Sequence, residues 1–363
     1  MMVTVRSFAK INLGLRIGAK RSDGFHELLT VYQTIGLHDI VSVHLERGHG
    51  IEIRCSDPRV PKDESNTCYR VVDGARRLLP AKGRVVIEIE KRLPLQGGLG
   101  GASSNAVAAL VGLEGALKKF LPAEQRLQIA AQVGSDLPLF LIGGTVLGIG
   151  RGEQVYPVAD LPAMASVIVT PDVGVSTPKA FAQWDRSCGA GTPARESLLR
   201  GKNRAIAGRN RVELGSAWTG EGTRPPTIKG SAKLTASASS DRMVELSRAY
   251  SAWLSMPHSG APFADSRRSR AENPLLELVR AGITNDFETV VFPEYPELCE
   301  AKRALERAGA KYASLSGSGS TLYGLFVSRE DAARAVARLR KQGWRAQATA
   351  TLTRRQYWKK IFV

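Results

Sequence analysis

A chain of 363 residues, 43% apolar and 23% charged, has room for two ordinary domains and enough apolar mass to bury a core, which excludes a wholly disordered polymer. Its longest weakly polar run, 137–149, holds Pro138, Gly143, Gly144 and Gly148 and falls short of the roughly 20 apolar residues of a bilayer helix. The formal charge of +17 is local: residues 186–272 carry an excess of eight, 328–363 another eight and the remainder one, so charge alone names no partner.

The first residues alternate apolar and polar and lack the apolar core of a secretory leader, which points to a strand and a cytoplasmic protein. On that strand Ile11, Leu13, Leu15 and Ile17 share one face, and Phe8, Lys10 and Asn12 the other. Asp23-Gly24-Phe25-His26 forms a turn, and strands are expected at 29–36, 40–47 and 84–91 with a helix near 66–79. Arg92-Leu93-Pro94 leads into Gln96-Gly97-Gly98-Leu99-Gly100-Gly101-Ala102, and Ala106, Ala109, Leu110, Leu113 and Leu117 then recur at helical spacing. Helices are expected at 123–133, after Ser135-Asp136, at 176–184, 294–308 and 329–341. A strand–turn–strand fits 312–327, with Ser316-Gly317-Ser318-Gly319-Ser320 as the turn, and a last strand fits 344–352. Strands interleaved with helices in this way suggest an α+β architecture.

Residues 186–240 break this rhythm. Gly, Ser, Thr, Pro and Ala make up 31 of the 55, the composition of an insertion between domains, and regular structure is expected to resume after Asp241. Cys55, Cys68, Cys188 and Cys299 are too scattered for a zinc ribbon or a disulfide scaffold. They read as free thiols, and no metal ligand set is expected.

Four glycines in five positions ahead of a helix let successive backbone N–H groups converge on anionic oxygens, with the positive helix end and the Ser103 and Ser104 hydroxyls as further donors. The same run also reads as a plain tight turn, and it is not a Walker A loop, since no Gly-Lys-Ser/Thr follows. Lys10 taken alone is an exposed strand lysine, and Asp136 a helix cap before Leu137-Pro138. The chemical alternative is a carboxylate that takes a proton from a substrate hydroxyl while a lysine keeps it ionised. Phe25 beside His26 is a solvated turn, or an aromatic that stacks on a base next to an edge donor. The Ser316–Ser320 run alone is a hairpin turn.

Together, AKINLGLRIGAKRSDGFHELLTVYQTIGLHD, PLQGGLGGASSNA, GSDLPLFL and LSGSGSTLYGLF resemble, in order and spacing, the signatures of the GHMP kinase superfamily, and within it the branch acting on a cytidine-diphosphate ester of methylerythritol. The likeness spans most of 1–185 and 273–330. It implies a two-domain fold: residues 1–165 as an α+β domain with a left-handed β-α-β crossover, and 166–363 as a ferredoxin-like domain carrying the insertion at about 186–240. It implies an ATP-dependent kinase, with Mg²⁺ accompanying the nucleotide, that phosphorylates the 2-hydroxyl of its substrate in non-mevalonate isoprenoid synthesis. By motif position Asp136 is the expected base and Lys10 its partner. Pro94, Leu95, Gln96, Gly97, Gly98, Leu99, Gly100, Gly101, Ala102, Ser103 and Ser104 are expected around the phosphates, and Asn66 at the nucleotide base. His26 would meet the cytosine edge, Phe25 and Phe181 its faces, and Asn12 and Tyr32 the substrate pocket.

Gln96 and Ala102 stand where glycines are common in the family, and Phe25 where tyrosine is usual. Two other readings follow from the same residues. One is a GHMP kinase for a different alcohol. The other is a nucleic-acid-binding protein, which the single aromatic of 186–240, Trp218, argues against. The expected partner is a small molecule with a cytidine diphosphate moiety, with no membrane.

Overall fold

The computed structural model describes residues 1–80, 82–95, 97–189 and 283–363. Gln96, the expected insertion beyond residue 189 and the structure expected after Asp241 lie outside the described residues.

The first sheet takes its length from β1 (Val3–Lys20) and β2 (His26–Glu46), which pair antiparallel. The two strands expected at 29–36 and 40–47 are one. Gly36-Leu37-His38-Asp39 has the composition of a turn, yet the strand continues through it, and at this point the register against β1 shifts, between Phe8 and Lys10. A shift of this kind re-aims a side chain without ending the strand. Strands β3 (Ile51–Cys55) and β4 (Arg84–Glu90) are parallel neighbours joined by α1 (Thr67–Leu78), a β-α-β unit. With β5 (Thr145–Ile149) and β6 (Gln154–Pro157) the order is β3-β4-β2-β5-β6, and β1 also lies on β2.

Helix α2 (Gly101–Leu117) is buried without a break from Ser104 to Glu114, as expected of a helix that is apolar all round. It packs with Val5, Val41, Val43, Val71 and Val85 into the core of this layer, and α3 (Ala123–Val133) adds Ile129 and Ala130. A Cβ at Gly112 would stand 2.7 Å from Val43 Cγ2, so the glycine allows the helix to lie this close to the sheet. A four-residue helix, α4 (Leu137–Phe140), follows.

The second sheet, β10-β7-β9-β8, is antiparallel throughout: β7 (Ala165–Val169), β8 (Tyr312–Leu315), β9 (Leu322–Phe326) and β10 (Ala346–Ala350). Helix α5 (Thr177–Gly189) precedes the undescribed segment, and α6 (Glu288–Glu294) and α7 (Pro296–Arg307) follow it. The helix expected at 294–308 is α7, which starts at Pro296; α6 has no counterpart among the expected helices, and Pro296 separates the two by driving Tyr295 out of helical geometry (φ −127°, ψ 76°). Helix α8 (Arg329–Lys341) buries Ala332, Ala335, Val336 and Leu339, and its Ser328 cap accepts from the Asp331 N–H.

The sheets meet through Ile11, Leu13, Val31, Leu99, Ile168, Tyr323 and Leu325. A last helix, α9 (Arg354–Lys360), returns to the first layer, where Leu352, Tyr357 and Ile361 join its core.

Candidate active site

Lys10 is 3% exposed, not the surface lysine its strand position suggests. Its Nζ donates to Asn12 Oδ1 at 2.6 Å and lies 3.6 Å from Asp136 Oδ2. Burial pushes the ammonium below its ordinary value, and the Asp136 carboxylate pulls it back up. Asp136 opens α4 without capping it by its side chain. Its Oδ1 instead accepts from Tyr32 Oη at 3.1 Å, and the side chain stays 34% exposed. Burial and the nearby carboxylate hold the Tyr32 phenol well above its ordinary value, so it remains a donor. Asn12, expected in the substrate pocket, spends both ends of its amide inside the protein: Oδ1 on Lys10 and Nδ2 on Thr30 Oγ1 at 2.8 Å.

The glycine loop lies directly on Lys10. Lys10 N–H donates to Leu99 O at 3.0 Å, and Gly98 and Gly100 take left-handed φ of 76° and 69°. The second glycine run, 316–320, presses on the first backbone to backbone: Thr321 N–H donates to Gly97 O at 3.1 Å and Ser316 Oγ to Gly98 O at 3.0 Å. A Cβ at Gly98 would meet Ser316 O at 2.1 Å, and one at Gly319 would meet Gly98 N at 2.4 Å. The hairpin turn is therefore also part of the site. Gly100 supplies no side-chain cap to α2, so the first N–H groups of that helix point out of its end toward the loop. Ser103 is half-buried on this turn. Ser104, also expected as a donor, is buried, and its Oγ is bonded to Ser7 Oγ at 2.7 Å.

Beside the loop a cleft is lined by Val60, Pro61, Asn66, Cys68, Ile89, Lys91, Leu95, Ala102 and Asn105. Asn66 caps α1, accepting from Cys68 N–H at 2.9 Å and donating to Pro61 O at 2.6 Å. Asp39, which sequence reasoning passes over as a turn residue, is fully buried and accepts from Lys91 Nζ, the Arg92 and Leu93 N–H groups and Asn105 Nδ2. It ties the entry of the glycine loop to α2. Asn105 Oδ1 has no partner among the described residues, an acceptor at the cleft wall.

His26 is buried, its ring stacked on Phe181 at 5.1 Å and 8° between planes, with Nε2 2.7 Å from Asp185 Oδ1. Phe25 is 52% exposed under the Arg151 guanidinium, 5.0 Å from the ring centroid. Asp185 lies one residue past the helix expected at 176–184, and nothing in the sequence marks it.

Residues 66–144 match the GHMP kinases N terminal domain, and 271–344 match GHMP kinases C terminal. Over 92% of its length the chain is 33% identical to 4-diphosphocytidyl-2-C-methyl-D-erythritol kinase of Solibacter usitatus (strain Ellin6076), covering 84% of that protein. It is 29% identical to the protein of the same name from Geobacter sulfurreducens over 96% of this chain and 99% of that one. Among solved structures, a 4-(cytidine 5'-diphospho)-2C-methyl-D-erythritol kinase superposes with a TM-score of 0.63 at 24% identity, covering 96% of this chain and 98% of that one. A homoserine kinase from Cytophaga hutchinsonii superposes with a TM-score of 0.62 at 17% identity, over 97% and 95%.

Proposed function

The chain belongs to the GHMP kinases and, among them, to the 4-diphosphocytidyl-2-C-methyl-D-erythritol kinase family, and on that premise we propose how its residues transfer the γ-phosphoryl group of ATP to the substrate's 2-hydroxyl. Asp136 takes the hydroxyl proton as the oxygen closes on the γ-phosphorus, the bond to the β-phosphate oxygen breaks, and ADP leaves. Lys10, beside the carboxylate, offers positive charge to the acceptor oxygen. Transfer of this kind passes through a loose transition state, so positioning and charge supply most of the catalysis.

The carrying observation is the buried Lys10 ammonium, held against the glycine loop and 3.6 Å from a carboxylate that is still one-third open. The loop N–H groups and the open end of α2 would hold the phosphates, with Ser103 rather than Ser104 as the hydroxyl donor. The cleft beside Asn66 and Asn105 would take the base. No cluster of three or more His, Cys, Asp or Glu gathers among the described residues, so Mg²⁺ would enter on the nucleotide and neutralise its phosphates. His26, with Phe25 and Phe181 near it, would receive the cytidine end. The substrate would lie between 1–165 and 166–363. No helix of the described residues is long and apolar enough to cross a membrane, and the use of ATP supports a reaction in the cytoplasm.

Purified protein is incubated with ATP, Mg²⁺ and 4-diphosphocytidyl-2-C-methyl-D-erythritol, and ADP release is followed. Substrate-dependent release is expected. Asp136→Asn is expected to lower kcat by about 10²–10⁴-fold, the usual worth of a positioned base, with substrate binding within a few-fold. ADP release only with a different alcohol would reassign the substrate, and an unchanged kcat in Asp136→Asn would remove the base.

A further inference from the structure

Helix α9 contributes nothing to the motifs above, yet two of its side chains reach the turn that carries Asp136. Tyr357 Oη donates to Phe140 O at 2.8 Å, and Trp358 Nε1 donates to Ile142 O at 2.9 Å. A four-residue helix has few internal bonds, and its last carbonyls need partners from elsewhere. The fit is close: Gly143 lies in the left-handed region at φ 71°, and a Cβ there would stand 2.4 Å from the Tyr357 ring. Burial holds the Tyr357 phenol above its ordinary value, so it stays protonated and able to donate.

Phe140 carries the contact onward. A Cβ at Gly100 would come within 2.9 Å of the Phe140 ring and 3.1 Å of Lys10 Cγ. The Phe140 ring and the Lys10 stem therefore crowd the same face of the glycine loop. A hydroxyl on α9 thus fixes a backbone whose side chain touches the phosphate loop and which begins, four residues earlier, with the carboxylate.

We infer that α9 is part of the phosphoryl-transfer apparatus, with Tyr357 and Trp358 as positioning residues that hold the Asp136 turn against Lys10 and the glycine loop. The inference rests on the reading of Asp136 as the base. It asks for a rate effect from residues that touch no substrate, because a reacting group displaced by about 1 Å can lose on the order of 10²-fold in rate.

Tyr357→Phe removes the hydroxyl and leaves the ring against Phe8 and Trp358, at 5.5 and 5.3 Å between centroids. The expected result is a kcat about tenfold lower, with KM for ATP and for the cytidine substrate within about twofold of wild type and a melting temperature within a few degrees. Trp358→Phe, which deletes the second donor, is expected to shift kcat in the same way. Wild-type kcat in both variants would overturn the inference. So would a loss of kcat matched by loss of folded protein in far-UV circular dichroism, which would make α9 a structural prop only. A wild-type protein that releases no ADP from this substrate would overturn the functional reading, and the inference with it, so the two failures are told apart by the wild-type control.

Discussion

Lys10 carries an ammonium in a place that penalises it. Burial lowers its proton affinity and the Asp136 carboxylate restores part of it. Removing the carboxylate leaves burial unopposed. In Asp136→Asn the Lys10 ammonium is expected to titrate lower than in the wild type, which carbon-13 NMR at the lysine ε-carbon would follow; an unmoved midpoint would show that the carboxylate is not what sustains the charge. The strand face of Lys10 is legible in the sequence, since alternation puts it opposite Ile11 and Leu13. Its burial is not, because the cover comes from residues near 98 and 136 that no local pattern connects to it. Only the resemblance joins Lys10 to Asp136. Asp39 shows the opposite failure: an acidic residue in a gap between apolar runs reads as a turn, and the four donors that make it a core residue come from β2's neighbours and α2.

Among the elements, the glycine loop is the one whose composition and geometry agree most closely. Gly98 needs both its left-handed φ and its missing side chain, because Ser316 O occupies the place of a Cβ. Gly98→Ala is expected to cost about 1–2 kcal/mol for the left-handed backbone alone, and more as the two loops part. It should raise the KM for ATP by about tenfold, since about 1.4 kcal/mol is a factor of ten in binding. Urea unfolding and steady-state kinetics would check both, and a variant with wild-type values would mean that the loops do not need their close approach. Amphipathic helices such as α7 and α8 were legible from periodicity. The five residues of β7, Ala-Ser-Val-Ile-Val, are buried throughout and show no alternation to mark a strand. Helix α9 was hidden differently: Arg-Arg-Gln-Tyr-Trp-Lys-Lys reads as a basic, solvated tail, and its single fully buried aromatic is invisible until the fold places it.

The site belongs to the whole molecule, since both sheets supply it. Asn285, ahead of α6, donates to Leu315 O at 2.9 Å and Gly317 O at 2.7 Å. Gly317 in turn lies where a Cβ would be 3.3 Å from Asn12 Oδ1 and 3.5 Å from Lys10 Nζ. Asn285→Ala leaves two buried carbonyls without this donor and is expected to destabilise the fold by about 1–3 kcal/mol, while lowering kcat/KM for both substrates. Equal stability and activity would show that the second loop is held by its hairpin alone. The α+β class followed from the order of strands and helices and the division into two domains only from the resemblance, whereas the way the two sheets share one site followed from contacts between residues about 200 apart.

The two ends of that site differ in how they can change. Where the glycine loops meet, the surfaces are main chain, and substitution can only push them apart. Around His26, Phe181 and Asp185 the contacts are between side chains, a ring stack and a hydrogen bond. On the proposed reading, change at the acceptor end costs the scaffold less than change at the phosphate end. A library aimed at a new acceptor belongs at 25, 26, 181 and 185 and should leave 97–100 and 316–319 untouched.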